Sequence, residues 1–380
     1  MFKFYYIIIK LFFYKRKKSV IIFIIIFIIT TYLLESYIKF KKIDNFFEFC
    51  NNYKSTIKKK YKKNRNPKIS IISPVYNREK FLLRFIKSIQ NQDFNNLEII
   101  FIDDCSKDNS ANLIKQFQKD DERIILLKLK NNKGTFVSRN LGALFSRGEY
   151  LIFPDPDDIL TKNILKFCYN FVEKYHYEMI RFNIYTGNGN IFVSNIINGI
   201  KSRPVYQPEL STYLFYAKGF LCQIDYNLSN KFIKKEAYIR SLNFLSDFYL
   251  NLHLISYEDG IMNFILYRIV KSFFFVKKIG YYYIINNQSI TNNISKVLQE
   301  NLKCMFVYLK LVFEYTKNTK YEKDMANCLL NDLSKKFNEI NNLIFLEKNI
   351  KFYNDIINKY LENDFITNLN KNKLKKLINI

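Results

Sequence analysis

From Pro67 to Tyr185 short apolar runs alternate with amphipathic stretches, and this alternation restricts the possible folds more than any other feature of the sequence. Ile69-Ser70-Ile71-Ile72 reads as a strand that Ser73-Pro74 closes. Phe81 to Gln90 then places Phe81, Leu82, Phe85, Ile86 and Ile89 at helical spacing. Leu97 to Ile102 is a second strand running into Asp103-Asp104, and Ser110 is placed to cap a helix through Lys119. Arg123 to Leu129 is a third strand, Asn131 to Gly134 a turn, and Thr135 to Arg147 a helix. Tyr150 to Phe153 is a short strand broken by Pro154, followed by a helix from Thr161 to Tyr175 and a strand from Glu178 to Tyr185. Such a succession predicts an α/β architecture, a largely parallel sheet with helices on both faces.

Composition supports a packed core and limits the chemistry. Of 380 residues, 48% are apolar, which argues against disorder. The six cysteines form no Cys-x-x-Cys pair and there are two histidines, His176 and His253, so a structural zinc or multi-histidine site is disfavoured. Any metal should be a hard cation on carboxylate oxygens. The net charge of +26 is unevenly spread: residues 1–68 hold 17 basic and three acidic residues, a net of +14. No nucleic-acid-binding module accompanies this excess, so nucleic acid is not expected as a partner.

The N-terminus reads as a membrane anchor. Ser19 to Leu34 is uncharged, and extension through Glu35 to Ile38 gives 20 residues, enough to cross a hydrocarbon core of ~30 Å. A cleaved signal peptide is the competing reading, but the stretch is long and bulky and no small-x-small site follows it. Lys15-Arg16-Lys17-Lys18 before the span favours a cytoplasmic N-terminus, although lysines also follow it closely. The expected organisation is a basic tail (1–18), a transmembrane anchor (19–38), a basic stem (39–66), an α/β domain (67–295) and a helical C-terminal region (296–380). Localisation would be single-pass at a membrane, type II in the secretory pathway if the chain is eukaryotic.

In an open parallel sheet, ligands bind beyond the carboxyl ends of the strands. Here those ends carry Pro74-Val75-Tyr76-Asn77-Arg78, Asp103-Asp104 and Asp155-Pro156-Asp157-Asp158. Five carboxylates on one rim repel one another unless a cation neutralises them. The plainer reading is that each acid caps a loop or helix.

Four motifs in register make the pattern specific: Ile71 to Asn77, Ile102 to Asp108, Gly134 with Ser138 to Gly142, and Gly148-Glu149-Tyr150 leading to Asp155-Pro156-Asp157-Asp158. Together they resemble the family 2 glycosyltransferases of GT-A fold. A looser continuation runs through Leu228 to Lys235, Tyr257-Glu258-Asp259 and Gly280 to Tyr283, as in the subgroup that makes bacterial surface polysaccharides. The resemblance implies transfer of a sugar from a nucleotide diphosphate-sugar, a UDP-sugar foremost, with inversion at the anomeric carbon. The acceptor would be a hydroxyl of a glycan, a lipid-linked glycan or a protein. It implies a divalent cation, Mn²⁺ or Mg²⁺, at Asp157, with Asp155 on the ribose or the metal. Asp104 would accept from the base N–H, Pro74, Tyr76 and Asn77 would line the nucleoside pocket, and Arg139 would lie near the nucleotide. Asp259 would take the proton of the acceptor hydroxyl, with Glu258 beside it as a possible substitute. Cys105 stands where the family often has glycine.

Each role has a structural rival. Glu258-Asp259 could be first-turn acids of a helix, Arg139 could pair with the rim acids, and Tyr76 could be core packing. Gly280-Tyr281-Tyr282-Tyr283 reads more readily as a core strand than as a sugar platform. A catalytically inactive GT-A binding or scaffold protein is the alternative reading of the whole chain.

Overall fold

A computed structural model describes residues 46–57, 66–186, 191–192, 204–207 and 227–285, with Cys304, Val307, Tyr308, Leu311, Val312 and Tyr315. Two units are separated at Lys59 and Lys60. In the first, the described residues form one helix, α1 (Phe46–Ile57). No helix among the described residues is long and apolar enough to cross a membrane. The expected span at 19–38 lies outside those residues, as does most of 296–380.

The second unit is built on strands and helices close to those read from the sequence. They are β1 (Ile69–Val75), α2 (Glu79–Gln90), β2 (Leu97–Asp103), α3 (Ser110–Asp120), β3 (Ile124–Lys128), α4 (Thr135–Phe145) and β4 (Tyr150–Ile152). Next come β5 (Ile159–Leu160), α5 (Ile164–Tyr175), β6 (Met179–Thr186), β7 (Ile191–Phe192), β8 (Val205–Tyr206), β9 (Lys231–Lys234) and α6 (Lys235–Phe244). The last are α7 (Asp247–Leu250), α8 (Glu258–Ile269) and β10 (Ser272–Tyr283).

One mixed sheet runs β3-β2-β1-β4-β9-β6-β10-β5, with β7 paired to β6 and β8 to β10. Its first half is parallel throughout, β1 pairing with β2 from Ile69↔Leu97 to Val75↔Asp103 and with β4 from Ile69↔Tyr150. β9 then enters antiparallel between β4 and β6, and β6 and β10 are again parallel. Every residue of β1 and β2 is buried, as expected for strands covered on both faces. Side chains of α2 (Leu82, Phe85, Ile86, Ile89) and α5 (Ile164, Leu165, Cys168, Val172) share one core with these strands. The antiparallel β9 was not legible as a strand. It is four residues long, and its Lys231 is a buried cation that donates to Asn227 O and to Asn230 Oδ1.

Topology places the site. From β1 the chain moves outward to β2 and β3, then returns past both to pair β4 on the other side of β1. The switch point therefore falls between β1 and β4, the position where open α/β sheets open a ligand crevice. The segments leaving these strands are Tyr76-Asn77-Arg78 and Pro154 to Asp158. Described residues of the C-terminal region are helical. Tyr308 stacks on Tyr257 with ring centroids 6.1 Å apart, and the Tyr315 hydroxyl donates to Phe244 O at 3.0 Å.

Candidate active site

Three loops and one helix end meet at the crevice. The first loop follows β1. Pro74 is buried within that strand, Tyr76 is 40% exposed at its end, and Asn77 turns the chain with φ 53°. Asn77 N–H donates to Ser106 Oγ at 3.1 Å, and Asn77 Oδ1 accepts from Lys107 N at 2.8 Å, so this loop is tied to the one after β2. Ser110 does not cap its own helix but accepts from Arg78 N at 2.9 Å.

The second loop follows β2. Asp104 is buried and its two oxygens accept from Lys133 N (2.7 Å) and Gly134 N (2.8 Å), so it organises the 131–134 turn. Burial raises its pKa, and those two N–H groups counter the rise. Gly134 has φ 86°, and a Cβ there would sit 2.8 Å from Leu254 O, so both conformation and space require glycine. Cys105 takes φ 66°, a backbone that glycine adopts without strain. Four non-glycine described residues have positive φ. Asn77, Cys105 and Tyr257 border this crevice, and His176 ends α5. Such clustering is characteristic of functional sites.

The third loop, after β4, carries the acids. Asp158 is buried, accepts from Tyr281 Oη (2.7 Å) and Ile284 N (2.8 Å), and its pKa is pushed well up by burial and by the neighbouring Asp155 and Asp157. Tyr281 Oη also accepts from Asp155 N at 3.0 Å, so a single hydroxyl bolts both ends of the acid turn to β10. Arg84 Nη2 donates to Asp157 O at 2.7 Å. Held this way, the Asp155 and Asp157 carboxylates stay at the rim, their side chains 34% and 15% exposed. Sequence reasoning missed Tyr281. Strand alternation alone could have pointed it inward, but not to this loop.

Arg139 joins this turn to α8. Its side chain is 4% exposed. Nη2 donates to Asp155 Oδ1 at 2.6 Å, and Nη1 donates to Glu258 Oε1 at 3.1 Å and, in a short contact, to Asp259 Oδ1. Asp259 Oδ2 accepts from Leu228 N at 3.0 Å. Burial opposes a charge on Arg139, but Asp259, Asp155 and Glu258 hold it firmly protonated. Burial pushes the Glu258 carboxyl up to about 7, with Asp259 adding to the rise and Arg139 opposing it. Burial also raises Asp259, against the pull of Arg139. The structure thus brings Asp155, Glu258, Asp259 and Arg139 into one cluster, with Asp157 on the adjoining turn. Pro74, Tyr76, Asn77 and Asp104 form a second group on the β1 and β2 side. His253 is exposed beside the 131–134 turn, its Nε2 2.9 Å from Asn132 Oδ1.

Residues 70–229, which contain the three loops, match the family described as Glycosyl transferase family 2. Over that segment the chain is similar to the family. The chain is 28% identical over 298 residues to the GalNAc(5)-diNAcBac-PP-undecaprenol beta-1,3-glucosyltransferase of Campylobacter jejuni, covering 72% of this chain and 90% of that one. It is 28% identical over 178 residues to the glycosyltransferase GlyG of Streptococcus pneumoniae, covering 45% of this chain and 58% of GlyG. Among solved structures, Staphylococcus aureus TarS 1–349 in complex with UDP-GlcNAc superposes with a TM-score of 0.59 at 19% identity, over 78% of this chain and 81% of that one. The superposition establishes an α/β GT-A-like fold with a mixed sheet.

Proposed function

We propose that the protein moves a hexose or hexosamine from a UDP-sugar to a hydroxyl of a surface-glycan precursor, inverting the anomeric centre. What carries this reading is the gathering of Asp155, Glu258 and Asp259 around Arg139, next to Asp157, at the switch point of the sheet. Residues more than a hundred positions apart converge there, and polar loops alone do not require that. The relatives support the substrate class: TarS was solved with UDP-GlcNAc, and the Campylobacter relative is named for a lipid-linked acceptor.

In this reading the nucleoside lies against Pro74, Tyr76 and Asn77. Asp104 would need to be reached beside the backbone N–H groups it already holds. Asp259 takes the proton from the incoming hydroxyl as general base, with Arg139 opposing the burial that raises its pKa. Arg139 holds that carboxylate in place, and Leu228 N–H fixes its second oxygen. Glu258, held by the same guanidinium, is the only other carboxylate of that helix turn.

A divalent cation fits the donor set. Among the described residues no three His, Cys, Asp or Glu side chains converge as a metal cage. Asp157 with Asp155 offers hard carboxylate oxygens at a partly open rim, the pattern of Mg²⁺-type sites whose remaining ligands are substrate phosphates and water. When bound, such an ion would neutralise charge on the departing diphosphate. Arg139 balances one of its three carboxylates, so the cluster is left two negative charges in excess when all are ionised.

The anchor belongs to the same reading. Residues 19–38 would hold the α/β domain at a membrane, where a lipid-linked acceptor is presented. The second reading, an inactive binding subunit, has against it that all four acids at 104, 155, 157 and 259 are retained.

The test is turnover of a panel of UDP-hexoses and UDP-N-acetylhexosamines by the full chain in detergent, with Mn²⁺, Mg²⁺ or EDTA. UDP release that needs the cation and is lost in Asp157→Asn is the expected result. Full turnover in EDTA would remove the metal. UDP-sugar binding without turnover, across a broad acceptor set, would favour the binding subunit.

A further inference from the structure

Sequence reasoning assigned the basic group near the nucleotide to Arg139, but that guanidinium is buried and engaged by three carboxylates. A diphosphate entering the crevice carries negative charge to a rim already lined by Asp155 and Asp157, so it needs another fixed cation. Arg78, on the turn between β1 and α2, is placed for this. Its Nε lies 3.7 Å from Asp157 Oδ2, and its Nη1 is 3.3 Å from Asn77 O and 3.4 Å from Tyr76 O. The guanidinium therefore stands between the expected nucleoside loop and the acid turn, where the diphosphate of a UDP-sugar must pass.

These contacts are long beside the 2.6 Å and 3.1 Å contacts of Arg139, and the side chain is 23% exposed. Arg78 is thus partly desolvated and loosely held, with donors in a planar fork that matches phosphate oxygens. Arg84, the other arginine on this side, is exposed and gives its Nη2 to Asp157 O.

We infer that Arg78 is the diphosphate-binding residue of the donor site, exchanging its long contacts to Asp157 and the 76–77 carbonyls for the phosphate oxygens. The inference rests on the UDP-sugar reading above. It predicts discrimination between ligands that share a base but differ in charge.

Calorimetric titration of the full chain in detergent with UDP and with uridine, in Mn²⁺-containing buffer, separates the possibilities. Arg78→Ala should weaken UDP about 10- to 100-fold, the range for charge-assisted hydrogen bonds, and leave uridine within about twofold. Arg78→Lys, which keeps the charge but loses the fork, should fall between. Unchanged UDP affinity in Arg78→Ala, or an equal loss for UDP and uridine, would overturn the role of Arg78. Wild-type protein that binds neither ligand would refute the donor reading itself, and the proposal with it. Melting temperatures of both variants identify any loss that comes from misfolding, and in that case the Arg78→Lys ratio of UDP to uridine affinity decides.

Discussion

Arg139 Nη2 lies 2.6 Å from Asp155 Oδ1, and the same guanidinium holds Glu258 and Asp259 through its other terminal nitrogen. One buried cation therefore joins the acid turn after β4 to the start of α8, 103 residues further along from Asp155 to Glu258. The two halves of the proposed site, donor side and acceptor side, are aligned by this contact.

Removing that cation should be costly. Arg139→Met leaves the largely buried Glu258 and Asp259 and the rim Asp155 without their shared cation, and breaking a buried pair from one side typically costs about 3–5 kcal/mol. The loss in melting temperature should be smaller at pH 5 than at pH 8, because Glu258, pushed up to about 7 by burial, is protonated at the lower pH and the repulsion is relieved. Thermal denaturation at the two pH values checks this. An equal loss at both would mean that the arginine acts by packing alone.

Asp259→Asn should reduce sugar transfer by roughly 10²–10⁴-fold, the usual worth of a general base, while UDP affinity stays close to wild type. Asparagine still accepts from Leu228 N–H, so the helix start should persist. Transfer rate, UDP affinity and melting temperature measured together decide the matter. Near-normal transfer by the folded variant would leave Asp259 as a first-turn helix acid and nothing more.

Glu258 gives a pH signature. Its folded pKa of about 7 lies above the ordinary carboxyl value of 4.5, so the native state holds a proton that the unfolded chain has released between those values. Its contribution to stability is therefore complete below about pH 4.5 and is lost as pH rises through about 7. In Glu258→Gln the part of the decline in stability over this window that comes from residue 258 should vanish. Denaturant midpoints of both proteins from pH 4.5 to pH 8 measure the difference, and parallel curves would contradict it.

Tyr281→Phe removes the hydroxyl shared by Asp155 N–H and Asp158 Oδ2. The buried Asp158 carboxyl and the part-buried Asp155 N–H each lose a hydrogen bond, at a cost of about 1–3 kcal/mol. Because the acid turn then loses its bolt to β10, the Mn²⁺ concentration giving half-maximal turnover should rise several-fold with little change in the limiting rate. Unchanged cation dependence in a destabilised protein would confine Tyr281 to folding.

Much of this was legible in the sequence. The alternation of apolar runs and amphipathic stretches from 67 to 185 determined the strands and helices to within a few residues, because burial on both sheet faces demands continuous apolar strands. The rim acids followed, since strand ends in such a sheet are where polar loops must emerge. The motifs at 71–77, 102–108, 138–142 and 155–158 carried the family resemblance. What the sequence could not settle is which carboxylate pairs with which cation. Asp155 and Asp259 are brought together by β9 entering antiparallel between β4 and β6, and a four-residue strand with a lysine at its start leaves no periodic trace. Whether Arg139 faces a ligand or the protein's own acids depends on that through-space arrangement. Electrostatic attraction acts across distance in space, and sequence separation carries no measure of it. Tertiary structure alone decided that Arg139 is engaged within the protein, that Tyr281 fastens the acid turn, and that Arg78 stands between the loop after β1 and Asp157.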